Sequence, residues 1–296
     1  MIRGIRAGQL EIRYAEHGPA GGAPVVLMHG YPDDIHAWDG VAPALAGAGL
    51  RVIVPWLRGY GPTRFLNAAT PRSGEQAALG ADLLALLDAL SIPKALLAGY
   101  DWGGRACCVV AALWPERVRG LVTVGGYNIQ NIAAAGAPAE PEQELRYWYQ
   151  WYFCTPRGEA GLRANRAALA RLLWRLWSPH YRFDNATFAA TARSFDNPDH
   201  VAVVIHSYRV RYGWADGDPA HAAIEASLAQ RPRIDVPAIV LEGAADGVRP
   251  PAPAGAHAPR FGDLRGARVL DGVGHFLPRE APEAVVAALE ALAASA

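Results

Sequence analysis

A carboxylate stands where the sequence predicts a sharp turn between a strand and a helix. Asp101 follows the apolar run KALLAG (94–99) and precedes the helical pattern WGGRACCVVAALWP, with Gly99 and Gly103 two residues away on either side. Glycines at these places allow strand and helix to approach closely, so that the central side chain projects from a strained turn. The alternative is an ordinary helix N-cap, a position where aspartate is common.

An aspartate at such a turn favours displacement at a saturated carbon. Its carboxylate can attack an sp3 carbon and form an alkyl ester. Water activated by a base can then attack the carbonyl of that ester, release an alcohol and restore the carboxylate. A serine would instead form a stable ether with such a carbon. Asp101 is therefore the candidate nucleophile.

Two later residues can complete a catalytic triad. Asp246, in LEGAADGVRPP, follows the apolar run PAIVL, and His275, in DGVGHFLPREAPE, follows the predicted last strand ARVL. A turn aspartate and a helix-entry histidine are the structural alternatives. Nucleophile, acid and histidine in the order 101, 246, 275 match one known chain order of such triads. We therefore predict Asp246 as the triad acid and His275 as the base.

Backbone donors for a developing oxyanion come from two turns. His29 and Gly30 directly follow the first predicted parallel strand, in LMHGYPDD. The backbone N–H groups of Tyr31 and Trp102 are expected to converge on the oxyanion that forms during ester hydrolysis. Tyr31 and Trp102 are accordingly predicted to contact the substrate, whereas His29 is predicted to brace the loop.

Short, continuous apolar runs recur along the chain, and helical patterns follow them. They are PVVLM (24–28), RVIVP (51–55), KALLAG (94–99), GLVTVGG (120–126) and PAIVLEG (237–243). Continuous apolar character is typical of parallel strands that are covered on both faces. Residues 1–17 predict an antiparallel hairpin at the sheet edge, with Gly8 in its turn. The pattern indicates an α/β fold with a mostly parallel sheet.

The alternation of strands and helices stops in the middle of the chain. Residues 128–230 are helical and aromatic and contain no strand-like run. We predict a core formed by residues 1–127 and 231–296, with the helical segment inserted as a lid over the carboxyl edge of the sheet. Open α/β sheets bind their ligands at that edge.

The predicted lid is rich in tryptophan. Its members include Trp148, Trp151, Trp174 and Trp177. They indicate an apolar pocket and a small apolar or aromatic substrate, although such side chains can equally pack lid helices together.

Composition argues against several classes of partner. Basic and acidic residues number 28 each, and no basic run stands out, so neither nucleic acid nor an anionic membrane is expected as a partner. Three cysteines, with Cys107 and Cys108 adjacent, do not form a disulfide framework, and a reduced, cytoplasmic location is the simplest interpretation. Histidine spacing suggests no metal site, and no cofactor is expected. The oligomeric state stays open, a homodimer included.

The motifs together resemble the α/β-hydrolase superfamily, in the branch that holds epoxide hydrolases and dehalogenases. They are HGYP (29–32), RGYG (58–61), GYDWGG (99–104), GAADG (243–247) and GVGHF (272–276), which span nearly the whole chain. The resemblance implies an α/β-hydrolase fold with an inserted helical lid. It also implies a cofactor-independent hydrolase that forms a covalent ester on Asp101 and converts an epoxide to a vicinal diol.

Epoxide hydrolases of this branch use two lid tyrosines to hold the epoxide oxygen. The segment YQWYF resembles one of their motifs and implies that role for Tyr149, while HSYRVRYG implies it for Tyr208. Neutral phenols suit the task, because they polarise the oxygen and donate a proton as the ring opens. Tyr147 and Tyr152 are rival candidates in the same segment, and all of these side chains can instead be core aromatics.

A dehalogenase is the alternative within the branch. Haloalkane dehalogenases hold the leaving halide with an indole N–H like that of Trp102, but their second donor is often an asparagine where this chain has Tyr31. Haloacetate dehalogenases carry two arginines after the nucleophile, and only Arg105 matches. A biosynthetic hydrolase or cyclase with Asp101 as a base, or a non-catalytic binding module, are further alternatives.

Overall fold

The computed structural model describes residues 1–294, and nine strands within that range form one sheet. The strands are β1 (Ile2–Ala7), β2 (Leu10–His17), β3 (Pro24–Met28), β4 (Arg51–Pro55), β5 (Arg64–Phe65), β6 (Ala95–Tyr100), β7 (Val118–Val124), β8 (Ile234–Gly243) and β9 (Phe261–Leu270). The helices are α1 (Ala42–Gly47), α2 (Gln76–Ala89), α3 (Asp101–Leu113), α4 (Pro141–Arg146), α5 (Trp148–Cys154), α6 (Pro156–Trp177), α7 (Asn185–Ala192), α8 (His200–Arg211), α9 (Ala222–Ala229), α10 (Leu277–Glu280) and α11 (Pro282–Ala294).

The sheet is mostly parallel, as the apolar runs predict. Its strand order is β1-β2-β4-β3-β6-β7-β8-β9, and β5 pairs with β2. The pairs from β4 through β3 to β9 are parallel, whereas β1, β2 and β5 add antiparallel pairs at one edge. The predicted N-terminal hairpin is β1–β2, and Gly8 takes a φ of +56° in its turn. This arrangement confirms the predicted fold class.

Burial on both faces explains why the central strands read as continuous apolar runs. All six residues of β6 are buried, and α3 and α11 both contact β6, β7 and β8. Helix α2 packs with α3, and α1 packs with α11, so that two helical layers enclose the sheet. The strand ends of β3 and β6 lie side by side and present the loop after Met28 next to Asp101.

The segment between β7 and β8 contains helices α4–α9 and is attached to the core by buried polar contacts. The indole Nε1 of Trp174 donates to the carbonyl of Pro32, 2.7 Å away. The Asp34 carboxylate accepts from the hydroxyls of Thr191 (3.0 Å) and Ser194 (2.5 Å). These bonds join the loop after β3 to helices of the predicted lid.

Other features of the described chain bear on the expected class of protein. None of its helices combines the length and apolar character needed to cross a membrane. The three cysteines are free and buried, with Cys107 and Cys108 inside α3.

Candidate active site

Asp101 occupies a strained backbone conformation at the junction of β6 and α3. Its φ is +49°, a region that non-glycine residues rarely adopt and that costs free energy. Tyr100, in extended conformation, is the N-cap of α3, and no side-chain capping bond is formed there. Asp101 is therefore not an ordinary N-cap, and its carboxylate projects from the turn.

The glycines of the motif are required by close packing. A Cβ atom on Gly99 would lie 2.5 Å from the backbone carbon of Gly103, and one on Gly103 would overlap the carbonyl oxygen of Met28. Helix α3 thus begins directly against β6 and β3, which fixes where Asp101 stands above the sheet.

His275 and Asp246 form a hydrogen-bonded pair beside the nucleophile. Nδ1 of His275 lies 2.9 Å from Oδ2 of Asp246, and Oδ1 of Asp246 accepts from the backbone N–H groups of Val248 and Arg249. Within residues 1–294, Nε2 of His275 has no partner. His275, Asp246 and Asp101 line one cavity, so the structure brings the three predicted triad residues together.

Asp246 and His275 each stabilise the charged form of the other. Burial raises the pKa of Asp246, but the charge and hydrogen bond of His275 and two backbone donors outweigh it and lower the pKa. Burial lowers the pKa of His275, yet Asp246 and the charge of Asp101 outweigh it and raise the pKa above its usual value. Asp246 therefore holds the imidazole in place and stabilises its protonated form.

The sequence did not reveal what holds the two triad loops. The carbonyl of Trp177, at the end of α6, accepts from the backbone N–H groups of His275 (3.1 Å) and Gly247 (2.9 Å). Ser178 Oγ donates to Glu280 and accepts from the N–H of Phe276. The end of helix α6 therefore braces the acid and base loops, through the Ser178 hydroxyl and through the Trp177 carbonyl, a backbone group that carries no sequence signal.

The two oxygens of Asp101 have different environments. Oδ1 accepts from the backbone N–H of Tyr31 at 2.8 Å, which places that N–H as expected for an oxyanion donor. Oδ2 lies 3.6 Å from Nη2 of Arg105, one helical turn along α3. Arg105 is buried and ion-paired with the candidate nucleophile.

The side chains of Tyr31 and Trp102 stack on each other, with ring centroids 5.8 Å apart, and neither residue is among those that line the cavity. Both are buried, and among the described residues Tyr31 Oη and Trp102 Nε1 have no hydrogen-bond partner. His29 accepts from the N–H of Leu57 through Nε2, as a loop-bracing residue would.

The two tyrosines predicted to lie in a lid differ in position. Tyr149 lines the cavity with Asp101 and His275. Tyr208 is buried behind it, with ring centroids 5.5 Å from Tyr149 and 6.3 Å from Trp102. Tyr147 also lines the cavity, whereas Tyr208 and Tyr152 are not among its lining residues. Burial, followed by the charge of Asp101, raises the pKa of Tyr208, which indicates that this phenol lies near the nucleophile.

Gln150 fixes the direction of the hydrogen bond at Tyr149. The Tyr212 hydroxyl donates to Oε1 of Gln150 (2.6 Å), and Nε2 of Gln150 donates to the Tyr149 oxygen (3.0 Å). An amide NH2 group can only donate, so the Tyr149 proton stays available for another acceptor. Burial, above all, raises the pKa of Tyr149 and keeps the phenol neutral.

The cavity around Asp101 has a volume of about 230 Å³ and is more polar than expected. Arginine, asparagine, glutamine and tyrosine side chains line it, and the four tryptophans predicted to form an apolar pocket are not among the lining residues. Trp174 and Trp177 are instead buried in packing, and Trp151 stacks on Tyr212 at 4.2 Å. These tryptophans therefore pack against neighbouring helices, which is the alternative that the sequence left open.

A second, mainly apolar cavity of about 530 Å³ lies beside the first and shares Gln130 and Asn131 with it. Its walls come from the loop after β7, from α2, α8 and α9, and from the turn before α9. Asp101, Asp246 and His275 do not line it, so the polar cavity is the candidate active site.

Comparison with known proteins agrees with this geometry. Residues 23–277 match the family model described as alpha/beta hydrolase fold. A crystal structure from Klebsiella pneumoniae, whose assignment as an epoxide hydrolase is provisional, superimposes with a TM-score of 0.96 at 50% identity, covering 98% of this chain and 96% of that one.

Curated relatives match over shorter segments. Epoxide hydrolase B of Mycobacterium tuberculosis is 32% identical over 150 residues, which cover 46% of this chain and 41% of the relative. Bifunctional epoxide hydrolase 2 of Sus scrofa is 29% identical over 187 residues, which cover 62% of this chain and 31% of the relative. The matched segments thus span less than half of these relatives. The chain belongs to the α/β-hydrolase fold family, in the branch that contains epoxide hydrolases.

Proposed function

We propose that the protein is a hydrolase that opens an epoxide to a vicinal diol through a covalent ester on Asp101. The relatives named as epoxide hydrolases support the reaction class. The observation that carries the proposal is one cavity lined by a strained carboxylate, a His–Asp pair and a neutral phenol whose proton is available.

Ring opening begins with attack by Asp101 on one epoxide carbon. The Tyr31 N–H bond to Oδ1 leaves Oδ2 as the attacking atom. The C–O bond of the ring breaks, and its electron pair goes to the epoxide oxygen, which takes a proton from Tyr149 or Tyr208. A phenol that stays neutral until that moment stabilises the developing alkoxide without protonating the epoxide beforehand.

Hydrolysis then releases the diol. His275 removes a proton from water, the hydroxide attacks the ester carbonyl, and the negative charge develops on Oδ1, where the Tyr31 N–H already lies. The Trp102 N–H is the proposed second donor. The base must be neutral, so this step is lost at low pH, where His275 becomes protonated beside the Asp246 carboxylate. The intermediate collapses with cleavage of the bond between the carboxyl carbon and Oδ2 of the substrate ester, and the leaving alkoxide takes the proton from His275. The new carboxyl group of Asp101 loses its proton, which restores the tyrosine phenol.

Haloalkane dehalogenation is the second candidate, and one observation favours it. The Trp102 indole N–H is buried without a partner in the described chain, as a halide donor would be. Trp102, however, is absent from the cavity lining, whereas Tyr149 is present there. The position of Tyr149 therefore favours the epoxide over the haloalkane.

A substrate panel tests the proposal. We expect diol release from epoxides, with neutral and carboxylate-bearing members both included because the cavity is polar. Haloalkanes and haloacetates, scored for halide and acid release, form the comparison set. Halide release without any diol would remove the epoxide hydrolase proposal and support the dehalogenase.

The lid tyrosines are expected to act in ring opening. Tyr149→Phe and Tyr208→Phe should each slow the single-turnover formation of the alkyl-enzyme by about a hundredfold, because each removes a proton donor. Quenched-flow mass spectrometry of the intact protein measures this step directly.

Tyr147→Phe is the matched control, since this phenol lines the same cavity. It should leave alkylation within about twofold of the wild type, a change far below that expected of a lost proton donor. Unchanged alkylation in both Tyr149→Phe and Tyr208→Phe would contradict the assignment, and a large effect of Tyr147→Phe would move it to that residue.

A further inference from the structure

The cavity at Asp101 carries an excess of positive charge that epoxide hydrolysis does not require. Its lining includes four arginines, Arg105, Arg211, Arg231 and Arg249, against two carboxylates, Asp101 and Asp246. Asp246 is already paired with His275. A neutral, apolar substrate would gain nothing from this arrangement and would have to displace water from charged groups.

Two of the arginines already have partners. Arg105 is paired with Asp101 across 3.6 Å. Arg249 donates to the carbonyl of Gly125 at the exposed rim of the cavity. Of the three lining arginines for which no carboxylate lies within salt-bridge distance in residues 1–294, Arg249 is held by this carbonyl, which leaves Arg211 and Arg231.

Arg211 projects from the last turn of α8, three residues after Tyr208. Its guanidinium lies over the rings of Tyr147 (5.8 Å) and Tyr212 (5.5 Å), and no hydrogen bond from it to another described residue is found. Its charge opposes the burial that raises the pKa of Tyr149, so it lies close to the proposed proton donor. Stacking on aromatic faces holds the guanidinium in place while its N–H groups stay available.

Arg231 lies between α9 and β8, at the C-terminal end of the helical segment. It takes a φ of +51° and stacks over Tyr127 at 5.6 Å. Its Nε is buried without a partner in the described chain, as is Nε2 of Gln130 in the same cavity wall. A buried donor that stays unpaired is costly, and a charge-assisted hydrogen bond to an anionic acceptor would offset that cost.

We infer that the substrate is an epoxide that carries a carboxylate, with the carboxylate bound by Arg211 and Arg231 and the ring at Asp101. The reaction in this inference rests on the proposed function, whereas the negative charge of the substrate is inferred from the two arginines. It replaces the small apolar molecule expected from the lid tryptophans. A planar, forked guanidinium matches carboxylate geometry, so arginine suits this role better than lysine.

The test compares acids with their primary amides, which have nearly the same shape but no charge. The probes are 3,4-epoxybutanoate and 5,6-epoxyhexanoate, each paired with its amide, and diol formation is measured. For at least one length, kcat/KM of the acid should exceed that of the amide by about tenfold or more, chiefly through KM. The better length indicates how far the arginines lie from the reacting carbon.

Variants then test whether the two arginines cause the preference for the acid. Arg211→Gln and Arg231→Gln should each lower the acid-to-amide ratio by about tenfold, and Arg231→Lys should retain part of it. Arg157→Gln removes the same charge from an exposed site at the start of α6 and should leave the ratio unchanged. A wild-type ratio near one, or a ratio insensitive to both cavity substitutions, would overturn the inference.

Binding of the unreactive products separates this inference from the reaction chemistry. Calorimetric titration with 5,6-dihydroxyhexanoate and its amide should show tighter binding of the acid, and Arg231→Gln should remove the difference. If the acid binds more tightly but no epoxide is opened, the anion site stands and epoxide hydrolysis fails. If epoxides are opened and neither turnover nor binding favours the acid, the anion site fails and the reaction stands.

Discussion

Asp101→Ala is expected to abolish turnover while the fold persists. The substitution removes the only group proposed to form a bond to the substrate carbon, and loss of a nucleophile costs about 10⁴-fold or more in kcat. Alanine also removes the ion pair with Arg105 but leaves the backbone turn in place. Steady-state diol formation measures the loss, and circular dichroism with thermal unfolding checks the fold.

Asp216→Ala is the matched control, because Asp216 is exposed and lines neither cavity described above. It should keep wild-type activity. Asp101→Ala with undiminished turnover would remove the covalent mechanism.

Heavy-oxygen water gives a direct test of the same bond. In a single turnover the label should enter the Asp101 carboxylate, while the diol takes its new oxygen from the protein. The reason is that water attacks the ester carbonyl rather than the substrate carbon. Digestion and mass spectrometry locate the label, and solvent oxygen in the first-turnover diol would refute the ester.

The second large effect is expected for His275→Gln. Attack by Asp101 does not need a base, but hydrolysis of the ester does, so the variant should alkylate itself once and then stop. Loss of a triad base costs about 10⁴-fold or more, which makes the ester long-lived. The intact protein should gain the mass of one substrate, and the added mass should lie on the peptide that contains Asp101.

His36→Gln serves as the control, since this part-exposed histidine bonds Asp39 and lies outside the cavity. It should turn over normally and show no adduct. An adduct on a different peptide of His275→Gln would reassign the nucleophile, and normal turnover of that variant would reassign the base.

The local sequence determined the strands, the helices and the turn on which Asp101 stands. Strands such as β3 and β6 are covered on both faces, so their residues are apolar without interruption. Such a run is visible in the local sequence alone. The requirement for Gly99 is equally local, because a Cβ atom there would clash with the backbone of Gly103, whereas Gly103 is required by the carbonyl of Met28 on the neighbouring strand β3. Chain order then sufficed to propose Asp246 and His275 as the partners of Asp101.

The tertiary structure decided what surrounds the triad. Sequence patterns report the burial of one element at a time and do not say which side chains of separate elements converge. The sequence left open whether the tryptophans of the predicted lid line the pocket or pack helices, and it carried no signal that Arg211 and Arg231 line the cavity. The backbone carbonyl of Trp177, which braces both triad loops, has no sequence signature at all. The charge of the cavity is a property of side chains far apart in the chain, and only folding brings them together.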